Sequence, residues 1–166
     1  MAIEQLIDSL NQLDDAHQEM LKWGQDKKEA VMRNDVNALI QIMNQESRIL
    51  KQIALQEERR IAACQSFLQE KGIKSALQLT ITELTRLVFD PEEKAALLRA
   101  QAKLSQTLGD LKQVNDLNQK LMEQSLTFID YSLELLGGGS GQDATYQHPA
   151  DKSGGGQRTG LFDARA

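Results

Sequence analysis

Few side chains in this sequence are of types that do covalent or metal chemistry, and none stands in a recognisable relation to another. His17 and His148 are its two histidines, and no motif joins them. A histidine acts as base or ligand when a second group holds one ring nitrogen in place. His17 instead falls on the apolar side of a helical segment, where a lone imidazole is ordinarily packed or solvated. Cys64 is the single cysteine, so no intrachain disulfide and no multi-cysteine metal site can be built. It lies in an apolar stripe with no histidine beside it in sequence, the setting of an inert thiol rather than a nucleophile. Glu57-Glu58-Arg59-Arg60 has two readings. It could hold an anion, as small helical enzymes hold a dicarboxylate between helices, or form a solvated face of local ion pairs each worth under about 1 kcal/mol. The second is favoured. The Gly-rich runs at 137–141 and 154–156 follow no strand and match neither a phosphate-binding loop nor a dinucleotide fingerprint. The expectation is no catalytic residue, no metal and no cofactor.

The remaining composition describes long helices. Hydrophobic residues make up 40% of the chain and aromatics only 4%, with 11 glycines and 2 prolines. That suits helices packed through Leu and Ile better than a sheet with a bulky core. Acidic side chains outnumber basic ones 24 to 19, and this net of −5 gives no electrostatic reason to expect nucleic acid as a partner. The opening residues lack the basic region and apolar run of a signal peptide. No run approaches the roughly 20 apolar residues that cross a bilayer, so stable membrane insertion is not expected. A soluble, cytoplasmic chain follows, and the lone cysteine agrees with a reducing compartment.

Apolar spacing and punctuation predict the elements. Ile3, Leu6, Leu10 and Leu13 recur in steps of three and four, with Met20, Trp23 and Val31 continuing the stripe, so a helix is predicted over 3–33. Asn34-Asp35 ends it and caps the next. The second helix is predicted over 36–71, with Val36, Leu39, Met43, Leu50, Ile53, Ile61, Cys64 and Leu68 in a heptad-like rhythm and Gly72 as its stop. Glu46 and Glu57 interrupt that stripe and are expected at its edge or against a polar partner. Residues 75–89 read as one short helix over the open end of the hairpin, despite Thr80, Thr82 and Thr85. Asp90-Pro91-Glu92-Glu93 is the clearest start signal, and a last helix is predicted over 91–136. Its main stripe holds Leu97, Leu104, Leu108, Leu111, Met122, Ile129 and Leu136. A neighbouring stripe of Val114, Leu117, Leu121, Phe128 and Leu135 widens the apolar face enough to touch two partners. Asn115 and Asn118 continue the stripe, where a buried Asn fixes register or partner choice; the alternative is that helix rotation turns them to the edge. Residues 137–166 hold 8 of the 11 glycines and are expected to be disordered, broken only by Thr145-Tyr146 and Gly160-Leu161-Phe162-Asp163-Ala164-Arg165-Ala166. The fold class is all-α: a long antiparallel helical hairpin or coiled coil plus a long third helix, a three-helix bundle-like domain over 1–136 with a flexible tail over 137–166.

Asn115-Asp116-Leu117-Asn118-Gln119-Lys120-Leu121-Met122, followed by Leu126-Thr127-Phe128-Ile129, resembles the last long helix of the FlgN family of flagellar secretion chaperones. The opening helix, the Asn34-Asp35 break followed by Leu39, Glu57-Glu58-Arg59, Tyr146 and the terminal Leu-Phe-Asp-Ala-Arg-Ala fit the same pattern. The resemblance covers essentially the whole chain; each motif is short, and their order and spacing carry it. Where many relatives carry Gly after the tail Tyr, this sequence has Gln147-His148-Pro149.

The resemblance implies a non-enzymatic chaperone that binds hook–filament junction proteins in the cytoplasm. It would keep their terminal helices from self-associating and deliver them to the flagellar type III export apparatus. A hairpin with an amphipathic third helix could offer a groove to a client helix. Client anchors are expected at Leu117, Leu121, Phe128 and Leu135, flanked by Val114 and Met122, with Asn115 and Asn118 selecting the client. Contact with the export gate, made in this family through the C-terminal region, is expected at Tyr146, Leu161 and Phe162. The competing reading is a generic coiled-coil scaffold or adaptor without an export role, which would self-associate through its heptads; a tight stable dimer would favour it, while the chaperone reading leaves monomer and homodimer open.

Overall fold

The punctuation residues act as the sequence predicts, and they set the element order. The computed structural model describes residues 1–74 and 79–137. It contains α1 (Ala2–Met32), α2 (Val36–Glu70), α3 (Ile81–Thr85) and α4 (Pro91–Leu136), with no strand among the described residues. Asn34 adopts a left-handed backbone, φ 54°. The Asp35 and Asn34 amides then donate back to the Ala30 and Val31 carbonyls, the reversal that closes a helix C-terminus. Gly72, φ 71°, ends α2 in the same way, with the Ile73 and Gly72 amides reaching the Leu68 and Gln69 carbonyls. The Asp35 carboxylate accepts from the Ala38 amide at 3.0 Å, and Asp90 accepts from the Glu92 and Glu93 amides at 2.8 and 2.9 Å.

Packing divides the chain into Met1–Ile129 and Asp130–Ala166. The second unit is described only over 130–137, where it contains the last turns of α4.

In the first unit α1 and α2 form the antiparallel hairpin. Its open end is tied by the Ala2 amide donating to Glu70 Oε1 at 3.2 Å, and its far half by Lys27–Glu46 at 3.1 Å. Glu46 thus meets a polar partner, as its position in an apolar stripe required.

The core lies at the open end. Ile3, Leu6 and Leu10 of α1, Ala63 and Phe67 of α2, Leu84 and Val88 around α3, and Leu97 and Ala100 of α4 form one buried cluster. Each fully buried Leu, such as Leu6, Leu84 and Leu97, stabilises the fold by about 2 kcal/mol relative to an exposed one.

Two expectations are corrected. The helix predicted over 75–89 is a single turn-and-a-half, Ile81–Thr85, held by a capping box in which Thr80 and Glu83 bond reciprocally; Leu87 and Val88 lie past its end, and 75–78 fall outside the described residues. Thr82 and Thr85 cost helix propensity, and the segment meets the core through Leu84 and Val88 without needing more turns. The buried seam of α2 follows the predicted stripe only in part, with Leu68 buried and Leu39, Ile53 and Cys64 half-buried. Ile42, Ile49, Ala63, Phe67 and Leu68 are buried, whereas Val36, Met43, Leu50 and Ile61 are exposed. The two stripes lie one residue apart, and contact with α1 selects the first.

Candidate functional site

The groups with chemical potential turn out to be engaged in structure. The His17 Nδ1 lies 2.7 Å from the Leu13 carbonyl; a carbonyl only accepts, so Nδ1 carries the proton. Arg60 grips Glu57 with two hydrogen bonds, Nη2 to Oε1 at 2.5 Å and Nε to Oε2 at 2.9 Å. This bond is the main reason that Glu57 is held below, and Arg60 above, its ordinary pKa. Arg60 Nη1 also points at Cys64 Sγ, 3.8 Å away. Burial nonetheless pushes the Cys64 thiol up, so it stays protonated and unreactive at neutral pH. Of the two readings of this cluster the ion pair is the one formed. It borders a groove of about 460 Å³ between α2 and α4, floored by Leu10 and Leu13 of α1 and walled by Ile53, Leu104 and Leu108. Among the described residues no three His, Cys, Asp or Glu side chains gather to hold a metal ion, and no helix is long and apolar enough to cross a membrane.

The register of α4 against α1 decides which of its apolar residues are covered. Thr107 Oγ1 donates to Asp14 Oδ1 at 2.6 Å, and Asn118 Nδ2 donates to the Gly24 carbonyl at 2.7 Å. The two pairs are 93 and 94 residues apart in sequence, so α1 and α4 run parallel in constant register. Asp14 is wholly buried and satisfied, with Lys103 Nζ 3.0 Å away and the Gln18 amide donating to it at 3.0 Å. At this offset Met32, the last residue of α1, lies beside about residue 125 of α4. Leu126 and Ile129 therefore lie past the end of α1. They are 62% and 48% exposed, and Phe128 is 69% exposed.

The sequence-chosen residues separate accordingly. Val114 is half-buried against Gly24, where an added Cβ would come within 2.9 Å of its Cγ1. Asn118 is buried in the same interface, while Asn115 is exposed, so of the two readings of this pair one residue follows each. Leu121 and Met122 are half-buried, Leu117 is 41% exposed, and Leu135, in the second unit, is exposed. Leu126 was not singled out as an anchor; its signal was there in the sequence, in the Leu126-Thr127-Phe128-Ile129 run. Tyr146, Leu161 and Phe162 lie outside the described residues.

A family model described as "FlgN protein" matches residues 1–154. The chain belongs to the FlgN family. The match includes Tyr146 and ends before Leu161 and Phe162. The chain is also similar to a protein of Bacillus subtilis (strain 168), the uncharacterized protein YvyG: 28% identical over 139 residues, which is 82% of this chain and 81% of that one. No solved structure matches. FlgN proteins are a family of chaperones in flagellum assembly, and this FlgN chain takes its general role from that membership. Chaperone function needs a surface for other proteins rather than reacting groups, which agrees with how His17, Glu57, Arg60 and Cys64 are used.

Proposed function

We propose that this chain is a cytoplasmic export chaperone for hook–filament junction proteins, and that the client helix binds the distal apolar face of α4. The observation that carries the reading is the overrun of α4 past α1, which leaves Leu126 and Ile129 exposed within the first unit, with Phe128 exposed on the neighbouring side of the helix. At about 100° per residue, Leu117 and Leu121 share the side of α4 that carries Phe128, while Leu126 and Ile129 lie on the side that continues the α1 contact. Exposed aliphatic and aromatic side chains on consecutive helical turns suit an amphipathic client helix, bound in the helix-on-groove manner. Affinity then scales with apolar area removed from water, at roughly 25 cal/mol per Å². Asn115 lies exposed near this face and is available to select the client, whereas Asn118 is engaged by Gly24. Leu135 is exposed in the second unit. The tail, with Tyr146, Leu161 and Phe162, is assigned to the export gate on the strength of the family resemblance.

Isothermal titration with a purified hook–filament junction protein tests the client face. Leu126→Asp/Phe128→Asp should abolish binding while circular dichroism stays helical, and affinity within about twofold of wild type would overturn the assignment. Removing residues 138–166 should leave client affinity intact and weaken binding to the gate; loss of client binding instead would place the tail in the client site.

A further inference from the structure

Helix α2 presents a second apolar stripe that the fold does not cover. Ile42, Ile49, Ala63 and Phe67 turn toward α1. At about 100° per residue, Val36, Ile40, Met43, Leu50 and Ile61 form a neighbouring stripe roughly 100° around the helix, which is exposed from Val36 to Ile61 and ends at the buried Leu68. The first four are each at least half exposed, and Ile61 is exposed as well. Ser47 and Ala54 occupy the stripe between them, and small side chains there let a neighbouring backbone come close. Scattered surface hydrophobes need no explanation, but five in line on one rigid helix mark an interaction surface.

The charges along one edge choose the occupant. Lys51 and Glu58 are one heptad apart and share an edge of the stripe. Both are exposed, and neither makes an ion pair among the described residues. In an antiparallel helix pair the same edge of each helix meets, whereas in a parallel pair opposite edges meet. Antiparallel pairing of α2 with another α2, centred near Ala54-Leu55, sets Lys51 of each copy beside Glu58 of the other. The contact is isologous, so the pair forms twice. The same register sets Leu50 against Ile61 of the other copy. Shifting by half a heptad would bring the two Lys51 side chains together, so charge selects the register as well as the direction.

We propose that this exposed stripe of α2 is a self-association surface, on which a second copy of this chain docks antiparallel with Lys51 beside Glu58 and Leu50 against Ile61. This surface lies on a different helix from the α4 face assigned to the client, so the two can be disabled separately.

The test is sedimentation equilibrium of the full chain over a wide concentration range, with circular dichroism as a control for folding. Wild type should pass from monomer to dimer. Lys51→Glu and Glu58→Lys should each raise the dimer Kd by roughly tenfold, since two symmetric attractions become repulsions. The combined Lys51→Glu/Glu58→Lys chain should return to within about twofold of wild type, and Ile61→Asp should abolish the dimer. A chain that stays monomeric throughout overturns the proposal. So does a dimer indifferent to these changes, or charge reversals that do not compensate. Dimerisation lost on removal of residues 138–166 but unaffected by Ile61→Asp would move the contact to the tail and overturn it equally.

Discussion

The Asn118 side-chain amide donates to the Gly24 carbonyl across 2.7 Å, joining α4 to α1 at the one position where α1 has no side chain. The carbonyl already belongs to the α1 backbone, so the amide uses its remaining lone pair. The helices can come this close only because residue 24 lacks a Cβ, which would otherwise lie 2.9 Å from Val114 Cγ1. Among the described residues Asn118 Oδ1 has no hydrogen-bond partner, so the residue costs some stability for its place in the interface. What it adds is register, and the register fixes where α4 leaves the cover of α1.

Gly24→Ala therefore sets two effects against each other. Helix propensity favours alanine by about 1 kcal/mol, while the contact with Val114 opposes it, because a β-branched side chain has few rotamers to move into. The contact is expected to win, with net destabilisation of about 1 kcal/mol in urea unfolding. Gly24→Ala/Val114→Ala should recover most of the contact cost, giving a clear coupling energy in a double-mutant cycle. Additive single effects would show that the spacing of α1 and α4 relaxes freely.

Asp14 should matter far more to stability than the lysine paired with it. Its carboxylate is buried and receives Thr107, Gln18 and Lys103, whereas the Lys103 side chain is 53% exposed. Asp14→Ala removes three interactions that join or brace α1 and α4, and a loss of about 3 kcal/mol is expected from chemical denaturation. Lys103→Ala should cost far less, because solvent screens that half of the pair. Equal losses would mean that the ion pair, rather than the hydrogen bonds, holds the carboxylate.

Glu57 predicts a pH dependence of definite sign. Its hydrogen bond from Arg60 lowers its folded pKa below the ordinary 4.5, so the folded state favours the ionised carboxylate. The stability this adds is present above 4.5 and is lost as pH falls through the folded value. Because the side chain is 45% exposed, the contribution is under about 1 kcal/mol. Unfolding free energies of wild type and Glu57→Gln should differ at neutral pH and converge in acid. A constant gap down to the acid limit would show that the pair is not what distinguishes them.

Local chemistry made much of this protein legible in one dimension. Asp35 and Asp90 could be read as caps, Asn34 and Gly72 as stops, and Pro91 as a first helical residue, because each acts on backbone within a few positions of itself. The apolar face of α1 was equally plain, since Ile3, Leu6, Leu10 and Leu13 have no competing stripe beside them. On α2, Ile42 and Ile49 neighbour Met43 and Leu50 in sequence, and periodicity alone gives both stripes the same standing. Only contact with α1 decides that the first is core and the second is surface. The same holds for Asn115 and Asn118. A helical repeat places both near the stripe, but Gly24 offers its carbonyl to one of them, and that pairing depends on the distance between two chain segments 94 residues apart. Family membership was legible in the order of short motifs. Which part of α4 is left exposed was not, because exposure depends on where α1 ends beside it.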